Sequence, residues 1–433
     1  DPQAYNPVGE TKDDTYSNSI ANMYQNHSAG VNFQYQKGKT RAQIGASYQP
    51  TITDNVTNGK TYHSLVHNWS PQAMVFYEFN DNSNIRLFYR GRSGQPSTSQ
   101  LMPVPDNSNP LHISLGNPYL KPYFSHNLIG RFGYTDKETF FSIRGHIRAS
   151  LTQNSITNTQ WYTDSGVQYS MPVNGATTGN MSVGAFLNSP IAKSKFSISA
   201  RTNFSFNASG SYVGKAAKSA EFTAAYYDFE KATFDYDAFN NDFYGSGATR
   251  NFGDYFEYSS TKSLGYTQYL RGTFRNDCLE FNLSGQTRMN KPWYSLKNAK
   301  ANTTWNSSVQ ASGQYDAPFG LGIKADFSYN WYRGYTTAQP DEYILNAEIS
   351  QLVWKRQMTI AIKAYDILNQ AKNLTVSDTD NYHQEIRNNT LGRYIILSLT
   401  YRFGNFGKAG QMMRGGPGGR GPGGPGGPMG PRR

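Results

Sequence analysis

Seven histidines and one cysteine are the residues of this chain best suited to bind a metal or attack a substrate. Only His63 and His67 lie close together. On a strand their four-residue spacing separates them by about 13 Å, too far to share a zinc at about 2 Å per ligand. Cys278 is alone, so it forms neither an internal disulfide nor a C-x-x-C pair. The sequence contains no G-x-S-x-G elbow and no phosphate loop. His146 stands between Arg144 and Arg148, as a solvated histidine on a wet strand face would. The expectation is a chain that is not an enzyme and holds no metal or cofactor.

The chemistry left is recognition. Residues 208–262 carry thirteen Phe and Tyr side chains from Phe222 to Tyr258, interleaved with Asp228, Glu230, Asp235, Asp237, Asp242, Asp254 and Glu257. A connection longer than about 15 residues is usually functional or disordered, and this aromatic content argues against disorder. Two readings stay open. The segment presents aromatic faces and carboxylates to a ligand or partner, or it packs on neighbouring loops and caps what lies beneath. The candidate contacts are Trp161, Tyr162, Tyr226, Tyr227, Tyr236, Tyr244, Trp293 and Tyr294.

The elements that position these residues show in a period of two. Phe196, Ile198, Ala200, Thr202, Phe204 and Phe206 alternate with Ser197, Ser199, Arg201, Asn203 and Ser205. Successive strand side chains point to opposite faces, so one face is apolar and the other wet. The same alternation runs through 141–151, 281–289, 321–331 and 395–403. These runs last about 10 to 15 residues, where soluble strands average about 5 to 6, and a tilted strand crosses a bilayer in about 9 to 11. The wet faces hold Arg144, Arg148, Arg201, Arg288 and Lys324.

Composition fits one lipid face and one wet face. Charged residues are 16%, against about 25% in an average globular protein, yet mean hydropathy is −0.67. No run of about 18 apolar residues offers a spanning helix, and the remaining way across a membrane is a closed barrel. The net charge of +11 is partly local. Lys408, Arg414, Arg420, Arg432 and Arg433 fall within the acid-free end of the chain, and the remaining excess is weak for a nucleic-acid binder.

Strands are expected near 22–36, 41–52, 64–79, 84–92, 123–134, 139–152, 178–189, 195–207, 263–275, 279–289, 302–315, 321–333, 342–354, 358–368 and 389–403. Short turns are expected at 37–40, 80–83, 135–138, 191–194, 276–278, 316–320 and 355–357. They alternate with long polar loops near 53–62, 93–122, 153–177, 208–262, 290–301, 334–341 and 370–388. In bacterial barrels short turns face the periplasm and long loops face outward. Fifteen strands conflict with the even number of such barrels, so at least one further strand is expected before Asp1. Residues 1–21 then read as an outer loop, and 22–403 as the barrel. Residues 404–433, rich in Gly, Pro and Arg, read as a disordered periplasmic tail. The start, DPQAYNPVGE, has neither the basic nor the apolar region of a signal peptide, so the numbering is expected to begin inside a longer precursor.

Three segments resemble the barrel of TonB-dependent receptors, in particular the outer-membrane β-barrel family common in Bacteroidota. Gly116-Asn117-Pro118-Tyr119-Leu120-Lys121-Pro122 is similar to the family's G-N-P-x-L-K-P entrance to a strand, although Tyr123 stands where Glu usually follows. Ala364-Tyr365-Asp366-Ile367-Leu368-Asn369 is similar to the [VA]-x-D-[IL]-[LF]-N end of a late strand. The alternating run from Arg393 to Phe403 resembles a closing strand. The resemblance covers about residues 18–406. It implies a 22-stranded barrel of which these are strands 8 to 22, with an N-terminal plug outside this chain. It also implies outer-membrane lipid around the wall, TonB acting through the plug, and an outer face open to a ligand or a surface lipoprotein. The lumen charges would then touch plug and solute. The function expected is energy-coupled uptake of a ligand. Alternatives are a passive porin of about 16 strands and an adhesion or secretion scaffold.

Overall fold

A computed structural model describes residues 20–57, 60–191, 195–296, 301–354, 357–371, 374–378, 383–387 and 391–402. Most of the expected outer loop at 1–21, all of the expected tail at 404–433, most of the turns at 191–194 and 355–357, and parts of the loops at 53–62, 290–301 and 370–388 lie outside these residues. The wall is a meander of long antiparallel strands. They are β1 (Ile20–Asn26, resuming as Ala29–Lys37), β2 (Thr40–Thr57), β3 (Lys60–Asn80), β4 (Ser83–Gly94) and β5 (Tyr123–Thr135). Next come β6 (Ser142–Tyr162), β7 (Gln168–Pro190), β8 (Phe196–Gly214), β9 (Phe256–Arg275) and β10 (Leu279–Tyr294). The series ends with β11 (Thr304–Asp316), β12 (Leu321–Arg333), β13 (Glu342–Val353), β14 (Met358–Tyr365) and β15 (Tyr394–Tyr401). Asn26 faces Thr51 and Ala29 faces Tyr48, so one register runs through the interruption of β1. Each wall strand pairs with the next, and among the described residues the far edges of β1 and β15 have no paired strand.

The sheet puts its apolar face outside. Phe33, Ile44, Ile198, Phe204, Leu283 and Ile362 are all exposed, although on a soluble sheet their face would form the core. Lipid is the solvent that suits such a face, and the opposite, polar face lines the lumen. The architecture is therefore an antiparallel transmembrane β-barrel wall, with fifteen strands as the alternation predicts.

The strands reach further out than expected. β7 has 23 residues, about 75 Å at 3.3 Å per residue, where about 9 to 11 suffice to cross the bilayer. The expected loops at 53–62 and 153–177 are therefore largely strand, and that at 290–301 begins as strand: β2 and β3 run to Thr57 and from Lys60, β6 and β7 to Tyr162 and from Gln168, and β10 to Tyr294. The hydrogen-bonded ladders continue beyond that length, β2 with β3 out to Thr57 and Lys60, and β6 with β7 out to Tyr162 and Gln168. Register shifts at Asn174/Ala176 and Ala176/Thr178 bend β7, as bulges do.

The segment at 208–262 folds into a cap of helices. α1 (Thr98–Leu101) lies in an earlier loop, and the cap holds α2 (Ala216–Tyr226), α3 (Tyr236–Tyr244) and α4 (Phe252–Tyr255). α2 is rich in alanine, a strong helix former, and buries Ser219, Phe222, Thr223 and Tyr226, one stripe at helical spacing. α3 starts at Asp235, whose carboxylate accepts from the Ala238 N–H at 2.9 Å, and buries Tyr236, Phe239 and Phe243. These aromatics join Trp161, Tyr169, Met171 and Val173 from the outer reaches of β6 and β7 in one buried cluster.

Candidate functional site

The G-N-P-x-L-K-P segment fastens the outer loops to the wall. A Cβ at Gly116 would sit 1.9 Å from the Met102 carbonyl oxygen, so only glycine fits there. The Asn117 amide donates to the Pro172 carbonyl at 3.0 Å, while its oxygen accepts from the Tyr119 N–H at 3.0 Å. The Lys121 N–H donates to the Asn174 side chain at 2.7 Å, and the Asn174 amide returns a bond to the Lys121 carbonyl at 2.8 Å. The Tyr119 hydroxyl donates to Asp237 of α3. The motif thus ties β7 at its bend to the cap. The second motif ends a strand in a similar way. The buried Asp366 carboxylate accepts from the Gln370 and Ala371 N–H groups, both at 3.0 Å, while its own N–H donates to Asn346 at 2.9 Å.

Four of the eight proposed aromatic contacts are structural. Trp161, Tyr226, Tyr227 and Tyr236 are buried in the cap core. Trp161 is 1% exposed, stacks on Tyr169 with centroids 5.5 Å apart, and donates its indole N–H to Thr223 at 3.0 Å. These rings meet one another because an aromatic-rich segment buries its rings before it offers them. Tyr162, Tyr244 and Trp293 are exposed, and Tyr294 is half-buried. Of the two readings left open for 208–262, packing accounts for its interior, and the exposed rings keep a surface for contact.

The carboxylates serve the cap as well. Tyr226 donates to Asp242 at 2.7 Å, and burial first, then this bond, pushes the phenol up. Arg250 lies 3.5 Å from Asp242 and over the rings of Tyr226 and Tyr255. Tyr255 donates to Glu221 at 2.9 Å, and Lys218 pairs with Glu221 at 2.7 Å. The chain of partners links α2, α3 and α4 across their surface.

Two recesses open beside these elements. One, of about 380 Å³, lies between α1 and the outer β2–β3 hairpin and is lined by Tyr24, Tyr62, His63, Pro96, Leu101 and Leu120. His63 faces Asp54 there at 2.6 Å, while His67 pairs with the Tyr48 hydroxyl at 2.5 Å. The other, of about 530 Å³, lies on the polar face of β4 to β7 near the short turns. It gathers Arg144 and Arg148, both expected in the lumen, with Arg131, Lys137 and His146. Arg201 sits one strand further, its guanidinium 5.7 Å over Phe186. Arg288 and Lys324 stand apart on β10 and β12. Lys324 faces Glu348, and Glu348 pairs with Lys363 at 3.5 Å. Sequence reading missed Arg131, although the tight β5–β6 hairpin sets it directly across from His146.

A wall of long antiparallel strands, greasy outside and polar within, defines an outer-membrane β-barrel protein. Residues 3–247 match the model of the outer membrane protein beta-barrel family, and the chain belongs to that family. Its place is the outer membrane. No curated protein matches the chain. Similar solved structures include the open form of the ferric-catecholate import receptor Fiu from E. coli K12. It has a TM-score of 0.43 and 10% identity over 80% of this chain and 58% of that one. BauA, the ferric preacinetobactin receptor of Acinetobacter baumannii, has a TM-score of 0.40 and 10% identity over 86% and 56%. A FadL homologue of Pseudomonas aeruginosa has a TM-score of 0.31 and 12% identity over 89% and 90%. The chain spans less than two thirds of the length of the two receptors.

Proposed function

We propose that this chain is the barrel portion of a TonB-dependent outer-membrane transporter of the kind common in Bacteroidota. In this reading the fifteen strands are strands 8 to 22 of a 22-stranded barrel, and a plug fills the lumen. The outer recess and the exposed rings Tyr162, Tyr244, Trp293 and Tyr294 meet the ligand or a surface lipoprotein that delivers it. TonB pulls on the plug, because the outer membrane has no ATP, and the solute passes along the wet wall past Arg144, Arg148, Arg201, Arg288 and Lys324. The chain guides and releases its cargo without chemical change.

The observation that carries the reading is the family-like Gly116–Pro122 segment, which fastens the outer loops to β7 through Asn117 and Asn174. The family-like turn after β14, where the buried Asp366 accepts from the Gln370 and Ala371 N–H groups, supports it. The test compares two properties of the full-length protein: ligand uptake in cells with and without TonB, and conductance in planar bilayers. TonB-dependent uptake with a closed pore is expected. Steady conductance with TonB-independent uptake would make the protein a porin. Neither uptake nor conductance, with protein binding at the outer face, would make it a scaffold.

A further inference from the structure

The recess near the short turns carries more positive charge than its surroundings balance. Arg86 on β4 faces Arg131 on β5, and Arg131 faces His146 on β6. Arg144 and Arg148 flank His146 two residues to either side, on the same face. Like charges directly opposite one another destabilise a sheet. At the neighbouring position the wall relieves this with a ring. Phe76 stands between Arg41 and Arg86, with the guanidinium carbons 5.9 and 5.2 Å from its centroid. Among the described residues no ring stands between Arg86, Arg131 and His146, which face one another directly. Among the described residues none of Arg86, Arg131, Lys137, Arg144 or Arg148 has an ion-pair partner. Asp81 is the one carboxylate in the lining.

The floor is kept open by glycine. Gly184 lies beside His146, where a Cβ would be 2.6 Å from the imidazole and 2.9 Å from the Asn203 side chain. Gly133 lies between Asn84 and Arg144, and a Cβ there would find its nearest atom 3.8 Å away. The result is a hollow of small-molecule size, ringed by guanidinium groups that grip oxyanions through paired N–H donors.

We propose that this recess is a binding site for a small solute carrying two or more clustered oxyanions, such as a diphosphate or a polycarboxylate. Arg131 and Arg144 hold it from adjacent strands, Arg148 and Lys137 add charge at the rim, and Phe186 covers one side. The site is built by wall residues alone; in the transporter reading it faces the gap between wall and plug.

Isothermal titration of the full-length protein in detergent tests this, with pyrophosphate and citrate as probes. Expected is saturable binding that weakens as salt rises. It should fall about a hundredfold in Arg131→Gln/Arg144→Gln, taking about tenfold per lost charged partner, and stay unchanged in Lys231→Gln on the cap. Gly133→Val removes no charge, fills the floor, and should abolish binding as well. Heat-modifiable migration on a gel confirms that each variant is folded. Absence of binding at millimolar probe overturns the proposal, as does equal binding by the folded double variant. So does binding of an acid-rich peptide that neither small anion displaces, since the recess would then dock a polypeptide.

Discussion

Single groups in the outer region carry testable consequences. Arg333 and Asp341 form a two-bond pair at 2.7 and 3.1 Å across the loop between β12 and β13, and the Tyr329 hydroxyl donates to Asp341 at 2.8 Å. The Arg333 guanidinium first, then the phenol, lowers the Asp341 carboxyl to about 2. A carboxyl lowered by folding stabilises above its ordinary range and loses that contribution as pH falls through its folded value. The loop should therefore loosen between about pH 4 and pH 2, modestly, because an exposed pair is screened. Pepsin cleavage within 334–341, measured against a second loop, should accelerate over that window in the wild type. It should be fast throughout in Asp341→Asn. Tyr236 offers the opposite case. Its hydroxyl is buried in the cap with no hydrogen-bond partner among the described residues, and such a group costs about 1–3 kcal/mol. Tyr236→Phe should slow hydrogen exchange in α3, and faster exchange would show that the hydroxyl has a partner. At this scale the sequence was a partial guide. It exposed Tyr236 as one of many rings but not its burial, which depends on helices whose faces converge.

Elements were more legible where the environment is uniform. The fifteen wall strands follow from alternation because lipid on one side and water on the other act on every residue in turn. The outer end of β7 did not show, because there both faces of the strand are covered. Tyr169, Ser170, Met171, Pro172 and Val173 of β7 are all buried, and a stretch buried on both faces has no period of two. The cap helices carried readable signals, an Asp235 cap ahead of rings at positions 236, 239 and 243 and an alanine-rich stripe at 216–226. An all-β expectation hid them. The link between these elements is Trp161, from the end of β6, packed on Phe222 of α2 with centroids 5.1 Å apart. Trp161→Ala should cost about 3–5 kcal/mol in the cap while leaving the wall assembled. Protease should then cut within 216–255 in a protein that still migrates as a folded barrel. Loss of the folded band would instead make the cap part of barrel assembly.

At the scale of the whole molecule the two solvents divide the protein into two kinds of stability. The wall is held by hydrogen-bonded ladders with apolar side chains in lipid, whereas the large buried cluster lies in the outer region and is an ordinary aqueous core. The chain connection between them is narrow. β8 and β9 stay paired to their outer ends, where Gly214 faces Phe256. All of 215–255 is therefore inserted between two positions already adjacent in the ladder, and an insertion with adjacent ends adds little to the closure cost of the hairpin. Replacing 215–255 with a short Asn-Gly turn should leave a β8–β9 hairpin of the same register. The replacement would bare Trp161, Tyr169, Met171 and Val173 to water, so those four need polar substitutes in the same variant. Such a protein should insert into the outer membrane and migrate as a folded barrel. It should keep pyrophosphate binding in the wall recess while losing any capture that depends on Tyr244. If it fails to insert, the cap is needed for barrel assembly, and the outer core is coupled to the wall more tightly than its one chain connection implies.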